Sequence, residues 1–128
     1  MEITIPTSIG ELVDKLTILN IKLENVTNRE KKENLVKEKN KLQEIYDNLN
    51  FDDEIDQFFN QLMTINKKLW NIEDEIRILE RNKQFDEKFI KLARSVYITN
   101  DERFSIKNKI NNFVGSNIKE EKLYQKYN

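Results

Sequence analysis

The sequence predicts an all-α fold: an elongated antiparallel helical bundle with coiled-coil-like packing, about four to five helices in a single domain over residues 1–128. Three observations carry this expectation. Apolar residues recur with a three-four alternation, which lays a continuous stripe along one helix face. The capping signature S/T-x-x-E, in which hydroxyl and carboxylate each satisfy a free backbone N–H, recurs at Ser8–Glu11, Thr27–Glu30 and Thr99–Glu102. Charged residues make up 35% of the chain and apolar ones 38%, against about 25% and roughly 45–50% in an average globular domain. The core must therefore be thin, as in a bundle or an oligomer.

Each element follows from its own pattern. Alternating Ile3 and Ile5 suit a short edge strand. Ser8 then opens a first helix from about Ile9 to Val26, with Ile9, Leu12, Leu16, Leu19, Leu23 and Val26 on its main stripe. Val13, Ile18 and Ile21 lie off that stripe, so this helix is covered on more than one side and belongs at the centre. Thr27 begins a second helix to about Leu49, with apolar Leu35, Leu42, Ile45 and Leu49 and a charged start. After a turn at Asn50–Asp53, Asp52 or Asp53 caps a third helix to about residue 82. Ile55, Phe58, Leu62, Ile65, Leu69, Ile72, Ile76 and Leu79 sustain its alternation.

Phe85, Asp86 and Ile90 form a hydrophobic staple around the cap of a fourth helix. Thr99 and Glu102 then allow a break near Asn100 and a fifth helix to Phe113; the alternative is one bent helix running through. Gly115 supplies a left-handed stop, and Ile118, Leu123, Tyr124 and Tyr127 dock a short final turn. Phe58 and Phe59 present more apolar surface than one seam uses and are expected at a subunit contact of a homo-oligomer, a dimer first.

Composition excludes much chemistry. With no Cys and no His there is no disulfide, thiolate, imidazole base or ordinary zinc site. Gly10 and Gly115 are the only glycines, so no glycine-rich phosphate loop can form. The net charge of −1 argues against a dedicated nucleic-acid binder. The basic run from Arg29 to Lys41 reads as an exposed helix end, and Trp70 as a core or interface anchor. No segment is apolar for long enough to span a bilayer, and MEITIPT lacks the basic start and apolar stretch of a signal peptide, so a cytoplasmic location is expected.

The strings IGELVDKLTILNIKLENV, INKKLWNIEDEIRILE, FIKLARSVYITNDERFSIKNKIN and EEKLY cover most of the chain. Through them the sequence resembles a family of short bacterial and phage proteins known only as a domain of unknown function, some of them labelled lipopolysaccharide-biosynthesis proteins. The resemblance implies a link to surface-polysaccharide synthesis and no established reaction. It emphasises Gly10, Glu11, Asp14, Lys15, Lys22, Trp70, Glu73, Asp74, Arg77, Arg94, Tyr97, Asn100, Asp101, Arg103 and Lys107.

Many of these ionisable residues occupy positions that a bundle half-buries. Glu73, Arg77 and Glu80 line one face of the third helix. Asn100, Arg103 and Lys107 continue the face begun by Ala93 and Val96, turning an apolar stripe cationic. Asp14 lies above Ile18 and Ile21, with Lys15 and Lys22 beside the main seam. One reading is a structural ion-pair network of Glu11, Asp14, Lys15, Lys22, Glu73, Asp74, Arg77 and Asp101 that fixes register. A second is an anion pocket of Arg94, Tyr97, Asn100, Arg103 and Lys107, helped by the N-terminus of a restarted helix and suited to a nucleotide or sugar phosphate. A third is Mg²⁺-dependent phosphate hydrolysis by Glu11, Asp14, Glu73 and Asp74. Arg77 stands where that third site needs another acid. The leading expectation is a non-enzymatic binding or assembly module, without cofactor, holding an anionic ligand or a partner helix.

Overall fold

Four helices and no strand form in the computed structural model, which describes residues 1–128: α1 (Ile9–Asn25), α2 (Arg29–Asn48), α3 (Glu54–Arg81) and α4 (Glu87–Val114). Ser8 starts α1 as expected, its hydroxyl accepting from Glu11 N–H at 3.1 Å. Only that half of the capping box forms, because the Glu11 carboxylate turns to Lys107. Asn28 rather than Thr27 caps α2, its side chain accepting from Lys31 N–H at 2.9 Å. Asp53 precedes α3 without a side-chain bond, whereas Asp86 caps α4 through Phe89 N–H at 3.2 Å. At the other end Gly115 takes the left-handed conformation, φ 67°.

The fourth helix is unbroken. Thr99 is fully buried in the seam, so packing holds the chain helical where a cap was expected. No fresh helix N-terminus therefore exists at Asn100. Two further expectations are corrected: residues 1–7 form no strand and leave Ile3 and Ile5 exposed, and the tail after Gly115 forms no helical turn.

Helix α1 is the hub. It packs against α2, α3 and α4, while α3 also pairs with α4 and the backbone of α2 comes close to α1 alone. This explains why the residues off its main stripe are covered: Val13 is completely buried and Ile21 nearly so. Contacts fix the directions. Gly10 meets Asn111 and Asp14 meets Arg103, so α1 and α4 are antiparallel. The Phe58 and Phe113 rings, 5.7 Å apart, set α3 and α4 antiparallel too.

The core gathers Val13, Ile55, Leu62, Ile106 and Ile110, with Ile9, Tyr46, Phe51, Phe58, Phe59 and Val114 packed around it. Phe58 and Phe59 thus pack in part against the chain's own core and keep part of their surface open. Helix α2 has no buried residue; Ile45 and Leu49 stay exposed, so its heptad stripe is only lightly covered. Helix α3, 28 residues, is about 42 Å long and outruns the 17-residue α1. Ile78, Phe85 and Ile90, near the α3–α4 turn, are exposed.

Candidate functional site

Asp14 is the centre of the polar arrangement. Its place on the second apolar face of α1 buries its carboxylate completely. Arg103 of α4 closes a two-point fork on it: Nε donates to Oδ1 at 2.9 Å and Nη2 donates to Oδ2. Asn66 of α3 donates to the same Oδ1 and to the Thr17 hydroxyl, each at 2.8 Å, and that hydroxyl donates to the Asp14 carbonyl at 2.7 Å. Three helices are tied at one buried carboxylate. The hydrogen bonds from Arg103 to Asp14 raise the guanidinium pKa against the opposing effect of burial.

One turn along α4, Lys107 is nearly buried. Its ammonium lies 2.8 Å from Glu11, 2.6 Å from Glu120 of the tail and 3.9 Å from Asp14. Burial pulls its pKa down, but the hydrogen bonds to the two glutamates and the nearby Asp14 charge outweigh burial, and the net shift is upward. A charged lysine with two or three carboxylates around it is an ion-pair cluster, and charge-assisted bonds of this kind are stronger than neutral ones.

The same end of the bundle satisfies the start of α1. Asn111 Oδ1 accepts from Gly10 N–H at 2.7 Å, and Ser116 Oγ accepts from Ile9 N–H at 3.4 Å. Free N–H groups at a helix start need such partners. Gly10 is required by contact: a Cβ there would lie 2.6 Å from the Lys107 carbonyl and 2.9 Å from Asn111 Oδ1.

Two grooves flank α4. One, of about 500 Å³, lies between α4 and the C-terminal tail; Tyr97, Asn100, Asp101, Arg103, Phe104 and Lys107 line it from the helix, and Glu120, Lys122, Tyr124 and Tyr127 from the tail. The other, about 480 Å³, is bounded by α1, α3 and α4. Ile18, Ile21, Leu69 and Trp70 form its apolar wall, and Asn66, Glu73, Asp74, Arg77, Asn100 and Arg103 supply its polar groups. Asn100 and Arg103 border both.

The structure therefore divides the residues singled out from the sequence. Glu11, Asp14, Arg103 and Lys107 come together in one network. Tyr97 and Asn100 share the tail groove with Arg103 and Lys107, whereas Arg94 is exposed and lines neither groove. Glu73 pairs with Arg77 at 3.2 Å, and both border the second groove beside Asp74. Asp101 joins the tail through Lys122 at 2.8 Å, and hydrogen bonding to Lys122 and then Tyr127 lowers its pKa. Lys15 and Lys22 point to solvent and make no ion pair. Trp70 is partly buried in the wall of the second groove.

The four carboxylates of the expected Mg²⁺ site do not form a donor set. Glu11 and Asp14 are engaged by Lys107 and Arg103, Glu73 and Asp74 border the other groove, and no three acidic side chains gather at metal-binding distance. Sequence reasoning missed Asn66, Thr17, Asn111 and Glu120. For Asn66 there was a signal, a polar residue at three-four spacing between Leu62 and Leu69; Glu120 lies in the EEKLY string.

Fold and site together define an all-helical bundle organised round a buried carboxylate–guanidinium pair. The chain belongs to the family of unknown function DUF6165, whose model matches residues 1–127. No curated protein and no solved structure matches it. No helix is long and apolar enough to cross a membrane.

Proposed function

We propose that the protein is a non-enzymatic binding module that holds a small anionic ligand, a nucleotide or sugar phosphate, in the groove between α4 and the tail. One observation carries this reading: the nearly buried Lys107 ammonium already takes a carboxylate, Glu120, at 2.6 Å from a tail segment outside the helices. With Glu120 withdrawn, Arg103 and Lys107 balance Asp14 and Glu11, so an entering anion meets a locally neutral cluster with Lys107 as its donor. Tyr97 and Phe104 add aromatic surface to the same groove, as ligand sites commonly do. The wider reading is a cytoplasmic homodimer accessory to surface-polysaccharide synthesis; resemblance to relatives so labelled supports the setting, and exposed Ile78, Phe85 and Ile90 offer apolar surface to a second subunit.

Native mass spectrometry of gently purified protein tests this directly. A mass exceeding a whole number of chains by a few hundred daltons, lost in Lys107→Met, supports the module. A bare mass, together with no calorimetric response to nucleotides or sugar phosphates, returns the network to a structural role. That second reading has its own support, since each central cation already faces a carboxylate.

A further inference from the structure

The C-terminal tail lies along α4 without joining the fold through its backbone. After the Ser116 N–H, which donates to the Asn111 carbonyl at 2.8 Å, no tail residue makes a backbone–backbone hydrogen bond. Side chains alone hold it. Lys119 donates to Asn112 Oδ1 at 2.9 Å, Glu120 sits on Lys107, Lys122 on Asp101, and the Tyr127 ring stands edge-on to Tyr97 with centroids 5.2 Å apart. Between these anchors Leu123 is 92% exposed and Tyr124 84%. Segments with few buried contacts and no backbone ladder open at low free energy. Gly115 stands at the pivot, left-handed and with open space around it.

The last three anchors place three kinds of chemistry in order along α4: an anion at Lys107, the hydrogen-bond-donating Lys122 ammonium at Asp101 and a flat ring at Tyr97. Tyr97 and Lys107 are separated by about 15 Å of helix. An extended nucleoside diphosphate presents the same sequence of groups, terminal phosphate, ribose hydroxyls and base.

We infer that the tail is an internal ligand of the groove, occupying the positions of a nucleoside diphosphate, which must displace it to bind. This rests on the anion-binding reading above and adds the ligand class and the competition. Binding then releases the tail, and the aromatic face of Tyr97 exchanges one ring for another.

The test uses the full chain, wild type and Glu120→Gln, a change at an exposed residue that weakens one anchor and leaves Lys107 paired with Glu11. ADP and ringless pyrophosphate are titrated calorimetrically, and tryptic cutting after Lys119 and Lys122 reports tail release. ADP is expected to bind Glu120→Gln about tenfold more tightly than wild type, to bind better than pyrophosphate, and to speed cutting of the wild-type tail; Lys107→Met loses ADP binding. Equal ADP affinity in wild type and Glu120→Gln, with cutting unchanged, overturns the competition while leaving the anion site standing. Pyrophosphate binding as tightly as ADP overturns the assignment of the ring site. If neither compound binds either protein, the anion site itself is wrong.

Discussion

Arg103 reaches across the bundle to fork the carboxylate of Asp14, 89 residues earlier in the chain, and that carboxylate has no exposed surface at all. Removing one member of a buried pair leaves the other charge uncompensated, which costs about 3–5 kcal/mol. Asp14→Ala is therefore expected to lower the melting temperature sharply, since Arg103 loses its carboxylate and the Asn66 amide one of its two acceptors. Replacing the pair together, Asp14→Leu with Arg103→Met, should recover much of the loss. Thermal unfolding followed by circular dichroism checks both; an unchanged melting temperature in Asp14→Ala contradicts a structural role for the pair.

Gly10 tests the junction of α1 and α4 without touching charge. Alanine favours helices over glycine by about 1 kcal/mol, yet here its methyl meets a backbone carbonyl at 2.6 Å. Contact is expected to win over propensity, because the carbonyl belongs to α4 and can retreat only if the helices part. Gly10→Ala should lower the urea midpoint; a rise would show that the two helices separate easily.

Lys107 predicts an alkaline limit. Its folded pKa lies above the ordinary 10.5, so its contribution to stability is complete below pH 10.5 and is lost as the pH climbs through the raised folded value. Tyr46 and Tyr127, also raised, act in the same direction. The lysine's share is the difference between wild type and Lys107→Met in urea midpoints measured from pH 9 upward. That difference should shrink with rising pH; a constant gap would separate the residue from the effect.

In acid the tail should detach. The Asp101 carboxyl is held below its ordinary 3.8 by Lys122 and Tyr127, so this anchor is intact above pH 3.8 and is lost as the pH falls through the depressed value. Proton NMR of Tyr127 reports it: ring-current shifts from Tyr97 should fade in that window in wild type and be weak at every pH in Asp101→Asn.

The core offers a calibration. Ile110 is fully buried beside Leu62 and Val13, and Ile110→Ala should cost about 2–5 kcal/mol through lost burial and the cavity left behind. A smaller loss in calorimetry would mean that the thin core collapses around the gap.

Local signals carried most of the fold. The Ser8, Asp86 and Gly115 caps and the α3 seam were legible because each depends on residues within a turn or two of one another. The central place of α1 was legible from its second apolar face. At Thr99 the capping pattern misled, since a buried position in the seam overrides a cap preference. At α2 the choice between Thr27 and Asn28 turned on one residue of offset. The site was legible in part: Asp14, Arg103 and Lys107 stand out as charges on apolar faces, but spacing cannot tell which carboxylate answers which cation. Those pairings join residues far apart in the chain, 89 positions for Asp14 and Arg103, and only the closed bundle brings Glu120 to Lys107.

The position of the hub in the chain bears on synthesis. Helix α1 leaves the ribosome first, yet its partners on α4 extend to Asn111. At about 5–20 residues per second, α1 waits roughly 4–17 seconds before the last of them is translated. During that interval first α2 and then α3 give it only partial cover, so the part of its apolar surface that α4 will bury stands open to other nascent chains. The α3–α4 hairpin, built from neighbouring segments, closes quickly once made. Cover of α1 is complete only once α4 is made, and the interval before it is when this chain is most open to chaperones and to aggregation.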